Sequence, residues 1–204
     1  MHALSEIFIL GFAIGLTGAL APGPTLVATI RAALHDGWRA GPRVSSGHIA
    51  VEAGIFLIIL TGAGTGIARY TGLISGVGGI ALVGFGLLTL KESRDAAIEP
   101  QTAGLAGSPF AAGAMTSASN PYFWLWWVTI GGVFLLDAFS GGIASVGAFM
   151  AGHWLADLGW FTFVSTAISR GGRVLSPPAY RMILTACAVF LMVFGLSYLG
   201  SAIL

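Results

Sequence analysis

The chain has 204 residues, 56% of them hydrophobic and only 8% charged, with a mean hydropathy of +0.89 and a formal net charge of +1. Soluble domains carry roughly 25% charged residues because water-facing surface needs them, so this composition excludes a soluble globular surface and calls for lipid. There is no basic run and no aromatic–basic interleaving, which excludes a nucleic-acid partner; one cysteine, Cys187, excludes an internal disulfide, a CxxC redox pair and a multi-cysteine metal site.

Six apolar stretches are long enough to cross a bilayer, which takes about 20 residues at 1.5 Å each. The first, 5–34, lacks a basic n-region and is too long for a signal sequence, so it reads as a retained span. It carries a small-residue stripe, Gly11, Gly15 and Ala19, of the kind that lets helices approach closely. The stripe fits a contact within one subunit or between subunits of a homo-oligomer. The same stretch is interrupted by Ala21-Pro22-Gly23-Pro24. Pro22 and Pro24 remove two backbone donors and Gly23 permits unusual angles, so the freed carbonyls must find partners or line a cavity. The second stretch, 43–68, carries His48 and Glu52, and the third is 73–90. A connection over 91–108, with Pro100, Gly104 and Gly107, reads as a linker.

Ser108-Pro109 gives the cap and first-turn proline of the fourth stretch, 109–136. Ser119-Asn120-Pro121 breaks it, with the hydroxyls of Thr116 and Ser117 just before the break. Tyr122, Phe123, Trp124, Trp126 and Trp127 follow it, a cluster that reads first as packing or lipid belt and second as a cavity wall. The fifth stretch, 142–168, carries His153 and Asp157. Ser176-Pro177-Pro178 opens the sixth, 178–203. Continuous apolar runs without alternating ten-residue strands exclude a transmembrane β-barrel.

Eight of the nine basic residues fall in the loops after the first, third and fifth stretches: Arg31, Arg39, Arg43, Lys91, Arg94, Arg170, Arg173 and Arg181; Arg69 is the exception. The positive-inside rule makes those loops cytoplasmic and puts both termini outside. The two halves also match. Residues 47–56 and 152–161 both read G-H-x-x-x-[acid]-x-G-x-F, and the first and fourth stretches are both broken by proline. Three spans per half is an odd number, so the second copy is inverted. The expected architecture is therefore all-α and polytopic: six transmembrane helices as two inverted three-helix repeats in one domain. Repeat one is 1–90, the cytoplasmic linker 91–108 and repeat two 109–204. Inverted repeats with paired interrupted helices are a mark of secondary transporters.

The deep ionisable residues are few. Glu6, Asp36, Glu92, Asp95, Glu99 and Asp137 lie near span ends or in loops, as do His2 and His35. This leaves His48 with Glu52 and His153 with Asp157, each pair sharing a helix face at i,i+4. Glu52 lies about 13 Å in from Arg43 and Asp157 about 20 Å in from Arg170 at helical rise, near the midplane of a core ~30 Å thick. Charge at that depth costs about 2.5–3.5 kcal/mol, which points the pairs at a cavity where the acids converge and protons can pass. The competing reading is structural: each histidine bonds its own acid and locks the packing. Carbonyls freed at Pro22 through Pro24 and at Asn120-Pro121 suit an ammonium and helix N-terminal amides suit a carboxylate, so one broken-helix site can hold both ends of an amino acid.

Ala21-Pro22-Gly23-Pro24 followed by Gly37, Gly41 and Gly47, then Asn120-Pro121 with its aromatics, resembles the lysine exporter (LysE/RhtB-type) amino-acid exporter family across nearly the whole chain. The resemblance implies a multi-pass cell-membrane protein that exports amino acids or related small solutes, driven by the proton or the membrane potential. The family's P-G-P falls on Pro22, Gly23 and Pro24, and its N-P on Asn120 and Pro121. Tyr122 stands where many relatives have Lys, and the doubled G-H-x-x-x-acid is less typical of them. A divalent metal-ion transporter is the alternative, since His48, Glu52, His153 and Asp157 make a nitrogen and oxygen ligand set. An enzyme is not expected: an intramembrane zinc protease needs H-E-x-x-H, and this chain has H-x-x-x-E. No cofactor is expected.

Overall fold

The computed structural model describes residues 3–61, 71–95, 107–170 and 177–203, and these are helices and short turns with no strand among them. In chain order they form α1 (Leu4–Ala19), α2 (Pro24–Asp36), a 3-10 turn (Gly37–Arg39), α3 (Ala40–Leu60), α4 (Thr71–Asp95), α5 (Pro109–Ala118), α6 (Pro121–Trp126), a π-helical turn (Trp127–Gly131), α7 (Gly132–Ser140), α8 (Ile143–Arg170) and α9 (Pro177–Ile203). Arg69, Glu99, Pro100, Gly104, Arg173, Ser176, His2 and most of the 91–108 linker lie outside the described residues.

Local chemistry sets the boundaries. At α1 the Glu6 carboxylate accepts the Ala3 amide at 3.0 Å. α2 starts from Gly23 with Pro24 in its first turn, where a proline lacks nothing the helix needs. It stops at Gly37, whose φ of +66° is the left-handed conformation that glycine adopts without a Cβ penalty. α5 starts on Ser108, whose hydroxyl accepts the Ala111 amide at 3.2 Å. α6 starts on Asn120, whose Oδ1 accepts the Tyr122 amide at 3.1 Å. The indole of Trp124 covers the other side of that break by donating to the Ala118 carbonyl at 2.8 Å.

Polarity runs inside out. Glu52, Asp157, His153, Asn120, Thr25, Thr29, Ser117 and Ser165 are buried, whereas Ile9, Leu73, Val77, Ile80, Val133, Ile143, Phe163 and Met182 are more than half exposed. Among the described residues no single helix is long and apolar enough to cross a membrane. Leu4–Ala19 and Pro24–Ile58 pass that test only together, bent by 81° at the break. α1 has only 16 residues before the break, and buried polar residues such as His153 and Asp157 lower the mean apolarity of the longer α8.

Small residues bring the helices into backbone contact. A methyl on Gly11 of α1 would overlap the Phe149 carbonyl of α8, and one on Gly152 of α8 would overlap the Phe8 carbonyl of α1. The other half repeats the pattern: Gly113 of α5 meets the Val44 carbonyl of α3, and Gly47 of α3 meets the Phe110 carbonyl of α5. α4 and α9 cross where Gly79 and Gly195 face each other's carbonyls. The Gly11 stripe is thus filled from within the subunit, through packing of the kind that drives helix association in lipid.

Candidate functional site

The helix pairs α1–α8 and α3–α5 hold α3 and α8 side by side, and that contact carries the two G-H-x-x-x-acid segments. Glu52, His153 and Asp157 are at most 2% exposed, and the His48 side chain is 12% exposed. Each histidine reaches both acids. His48 Nε2 lies 3.2 Å from Glu52 Oε1 and 3.8 Å from Asp157 Oδ1. His153 Nε2 lies 2.9 Å from Glu52 Oε1 and 3.4 Å from Asp157 Oδ2. The shortest of the four contacts joins His153 to the acid of the other half. A pair closed on itself along one helix accounts for only half of this arrangement.

The surroundings of the two histidines differ. His48 Nδ1 is 2.6 Å from Ser117 Oγ of α5. Ser117 spends its single hydroxyl proton on the Gly113 carbonyl at 2.7 Å, so its oxygen accepts and His48 Nδ1 donates. In the other half the residue facing the ring is Gly15 of α1, whose Cβ position would lie 2.8 Å from His153 Nδ1. Glycine has no hydroxyl, and His153 Nδ1 has no hydrogen-bond partner. Glu52 Oε1 additionally accepts the Trp127 indole N–H at 3.3 Å, while Glu52 Oε2 and Asp157 Oδ2 lack hydrogen-bond partners.

The broken helices close the site. Gly23 sits against the Asn120 carboxamide, with its Cβ position 3.6 Å from Nδ2. Thr25 and Thr116 pair across the same junction at 3.2 Å. One cavity is lined by Gly18, Ala19, Ala21, Gly23, Thr25 and Leu26 from the first break and by Asn120, Tyr122, Phe123, Trp126 and Trp127 from the second. His48, Glu52, His153, Asp157 and Phe161 complete it. Of the residues read from sequence, Gly23, Asn120 and the four ionisable ones therefore share one cavity. Pro22, Pro24 and Pro121 flank it and set the breaks. The cavity has a volume of about 50 Å³, enough for a few waters. An amino acid needs it to widen.

The sequence reading left out Thr25 and Phe161 as site residues, gave Trp127 only within an aromatic cluster whose second reading was a cavity wall, and gave Ser117 only as a hydroxyl near the break. Trp127 faces inward one turn beyond the buried Phe123 and opens the π-helical turn Trp127–Gly131, a kind of turn frequent at functional sites. Both Trp126 and Trp127 pack on His153, at ring separations of 5.2 Å, while Trp124 stays 41% exposed. No sequence signal marks the π turn. Ser117 is detectable as the polar counterpart of Gly15 once the halves are aligned by their contacts.

A family model described as LysE type translocator matches residues 16–201, nearly the whole chain. No curated protein and no solved structure matches it.

Proposed function

The chain belongs to the LysE type translocator family, a family of membrane-embedded transporters rather than enzymes, and from that premise we propose that it exports amino acids or related small solutes through the cavity between its two broken helices. The observation that carries this reading is the meeting of both breaks and all four deep ionisable side chains around one cavity. The first-turn amides of α2 suit the carboxylate end of a zwitterion, the Asn120 carboxamide beside Gly23 adds a polar group at the second break, and the aromatic wall suits an organic solute. The His48–Glu52–His153–Asp157 cluster is the coupling site, because imidazole is the side chain that exchanges protons near neutrality. The driving force is the proton or the membrane potential.

Six spans in two inverted repeats are part of this proposal. The approach of Gly11 to Phe149 matches that of Gly113 to Val44, and the approach of Gly152 to Phe8 matches that of Gly47 to Phe110; both support a two-fold relation between halves. The basic loops support cytoplasmic placement of the linker, with both termini outside. With only a few waters' room in the cavity, the cycle must open it alternately to either side. The breaks at Pro22–Pro24 and Asn120–Pro121 are the hinges. Carriage of a divalent metal ion instead would use the same nitrogen and oxygen ligands, but gives the aromatic wall and the helix breaks no task.

The test is transport in proteoliposomes across a panel of amino acids, with the pH gradient and the potential imposed separately. We expect at least one amino acid to move and one of the two gradients to drive it. Movement of none of the panel, by protein that is folded and inserted, overturns the reading.

A further inference from the structure

Three residues of the cluster bring ligand atoms together: one each from His48, Glu52 and Asp157 lies within 4.8 Å of the others. A tetrahedral site with metal–nitrogen and metal–oxygen bonds of about 2.0–2.2 Å has ligand–ligand edges of about 3.3–3.6 Å. His48 Nε2 lies 3.2 Å from Glu52 Oε1 and 3.8 Å from Asp157 Oδ1, on either side of that edge, while His153 stands beside them in hydrogen bond to Glu52 Oε1 at 2.9 Å. Two carboxylates and a neutral imidazole sum with a divalent ion to zero net charge, which suits a buried site.

Two independent features point the same way. Glu52 Oε2 is a buried oxygen without a hydrogen-bond partner, unusual for a buried carboxylate unless something is bound there, and Asp157 Oδ2 has no hydrogen bond beyond its 3.4 Å approach to His153 Nε2. His48 is also held as a metal ligand is held. Its Nδ1–H donates to Ser117 Oγ, which fixes the tautomer and directs the Nε2 lone pair at the two acids; metal-bound histidines almost always donate their other ring N–H in this way. A lone pair facing two carboxylates is unfavourable, and either a proton on Nε2 or a cation held between the three groups relieves it.

We propose that His48, Glu52 and Asp157 bind one divalent transition-metal ion of the zinc type, with Ser117 as a positioning residue for His48. The ion and the coupling proton compete for this cluster, because its ligands shed protons to take the metal. The inference does not depend on which solute is carried.

The test uses purified, tag-free full-length protein in detergent, stripped with chelator and titrated with Zn²⁺ by calorimetry and with Co²⁺ by visible absorption. One Zn²⁺ per chain is expected, with the intense d–d bands of tetrahedral Co²⁺. His48→Gln should abolish the bands, and His35→Gln should leave them intact. Ser117→Ala should weaken Zn²⁺ binding about 10- to 100-fold, with Ser117→Thr restoring most of it. Absence of binding by wild-type protein, or binding unchanged in His48→Gln, overturns the proposal. Loss in Ser117→Ala that Ser117→Thr fails to restore overturns the positioning role. No transport is needed for any of these readouts. A chain that binds the ion but carries no amino acid contradicts the proposed function alone, and the reverse outcome contradicts this proposal alone.

Discussion

Replacing Glu52 by glutamine keeps the shape of the side chain and removes its charge. Glu52 Oε1 accepts from His153 Nε2 at 2.9 Å and from Trp127 Nε1 at 3.3 Å. A hydrogen bond to a charged group contributes about 1.5–3 kcal/mol and a neutral one about 1 kcal/mol. Neutralising the acceptor therefore weakens each bond by about 1 kcal/mol and the pair by about 2 kcal/mol. At about 1.4 kcal/mol per factor of ten, a transport step that relies on this carboxylate slows roughly thirtyfold. Asp157 meets the histidines only at 3.4 and 3.8 Å, and its Oδ2 has no hydrogen-bond partner. Asp157→Asn should therefore cost less than about 1 kcal/mol in hydrogen bonding and slow transport less than about fivefold. The assay is counterflow of the best-transported amino acid in proteoliposomes over a range of pH. Both variants should flatten the pH profile, with Glu52→Gln the slower. Wild-type rates and profile in both variants, or a larger loss in Asp157→Asn than in Glu52→Gln, would refute the reasoning.

Gly113→Ala and Gly152→Ala push a methyl into the Val44 and Phe8 carbonyls and should each destabilise the fold by about 1–3 kcal/mol. Gly147→Ala, with open space around it, should leave the thermal unfolding of detergent-solubilised protein unchanged; equal effects at all three positions would contradict the packing. Pro22→Ala combined with Gly23→Ala should abolish counterflow while membrane insertion persists, and full counterflow by that double variant contradicts the hinge. Asn120→Ala removes both the α6 cap, costing about 1 kcal/mol, and the amide facing Gly23, so counterflow should fall while folded protein is still recovered. In a Cys187→Ala background, Glu99→Cys should react with impermeant thiol reagents only from the cytoplasmic side; labelling only from outside would invert the topology.

Much of the site was legible because its ingredients are rare in this composition. With 8% charged residues, two matched His–acid pairs inside apolar stretches stand out, and prolines at Pro22, Pro24 and Pro121 can only break a helix. Their assembly was not legible. An i,i+4 spacing places two side chains on one face but says nothing of the helix opposite, so the approach of His153 to Glu52 required the α3–α8 contact. The stripe at Gly11 and Gly15 marked a close contact without naming its partner, which proved to be Phe149 and His153 of the same chain. The aromatics after Pro121 divide between wall and exterior by their place on α6 and the turn after it, Trp124 exposed and Phe123, Trp126 and Trp127 buried, because an aromatic-rich run has no polar face to show which side meets neighbouring helices. Helix ends marked by Ser108 and Asn120 fell where their capping chemistry put them.

The account rests on a solute path through the central cavity, and Thr25 offers direct access to it. Thr25 lines that cavity and its side chain meets Thr116 across the junction of the breaks. In a Cys187→Ala background, the thiol introduced by Thr25→Cys should react with a small methanethiosulfonate during turnover. That reaction should stop amino-acid counterflow, and excess transported amino acid should slow it. Counterflow that continues at full rate after complete modification, with no protection by the amino acid, would show that the solute crosses elsewhere.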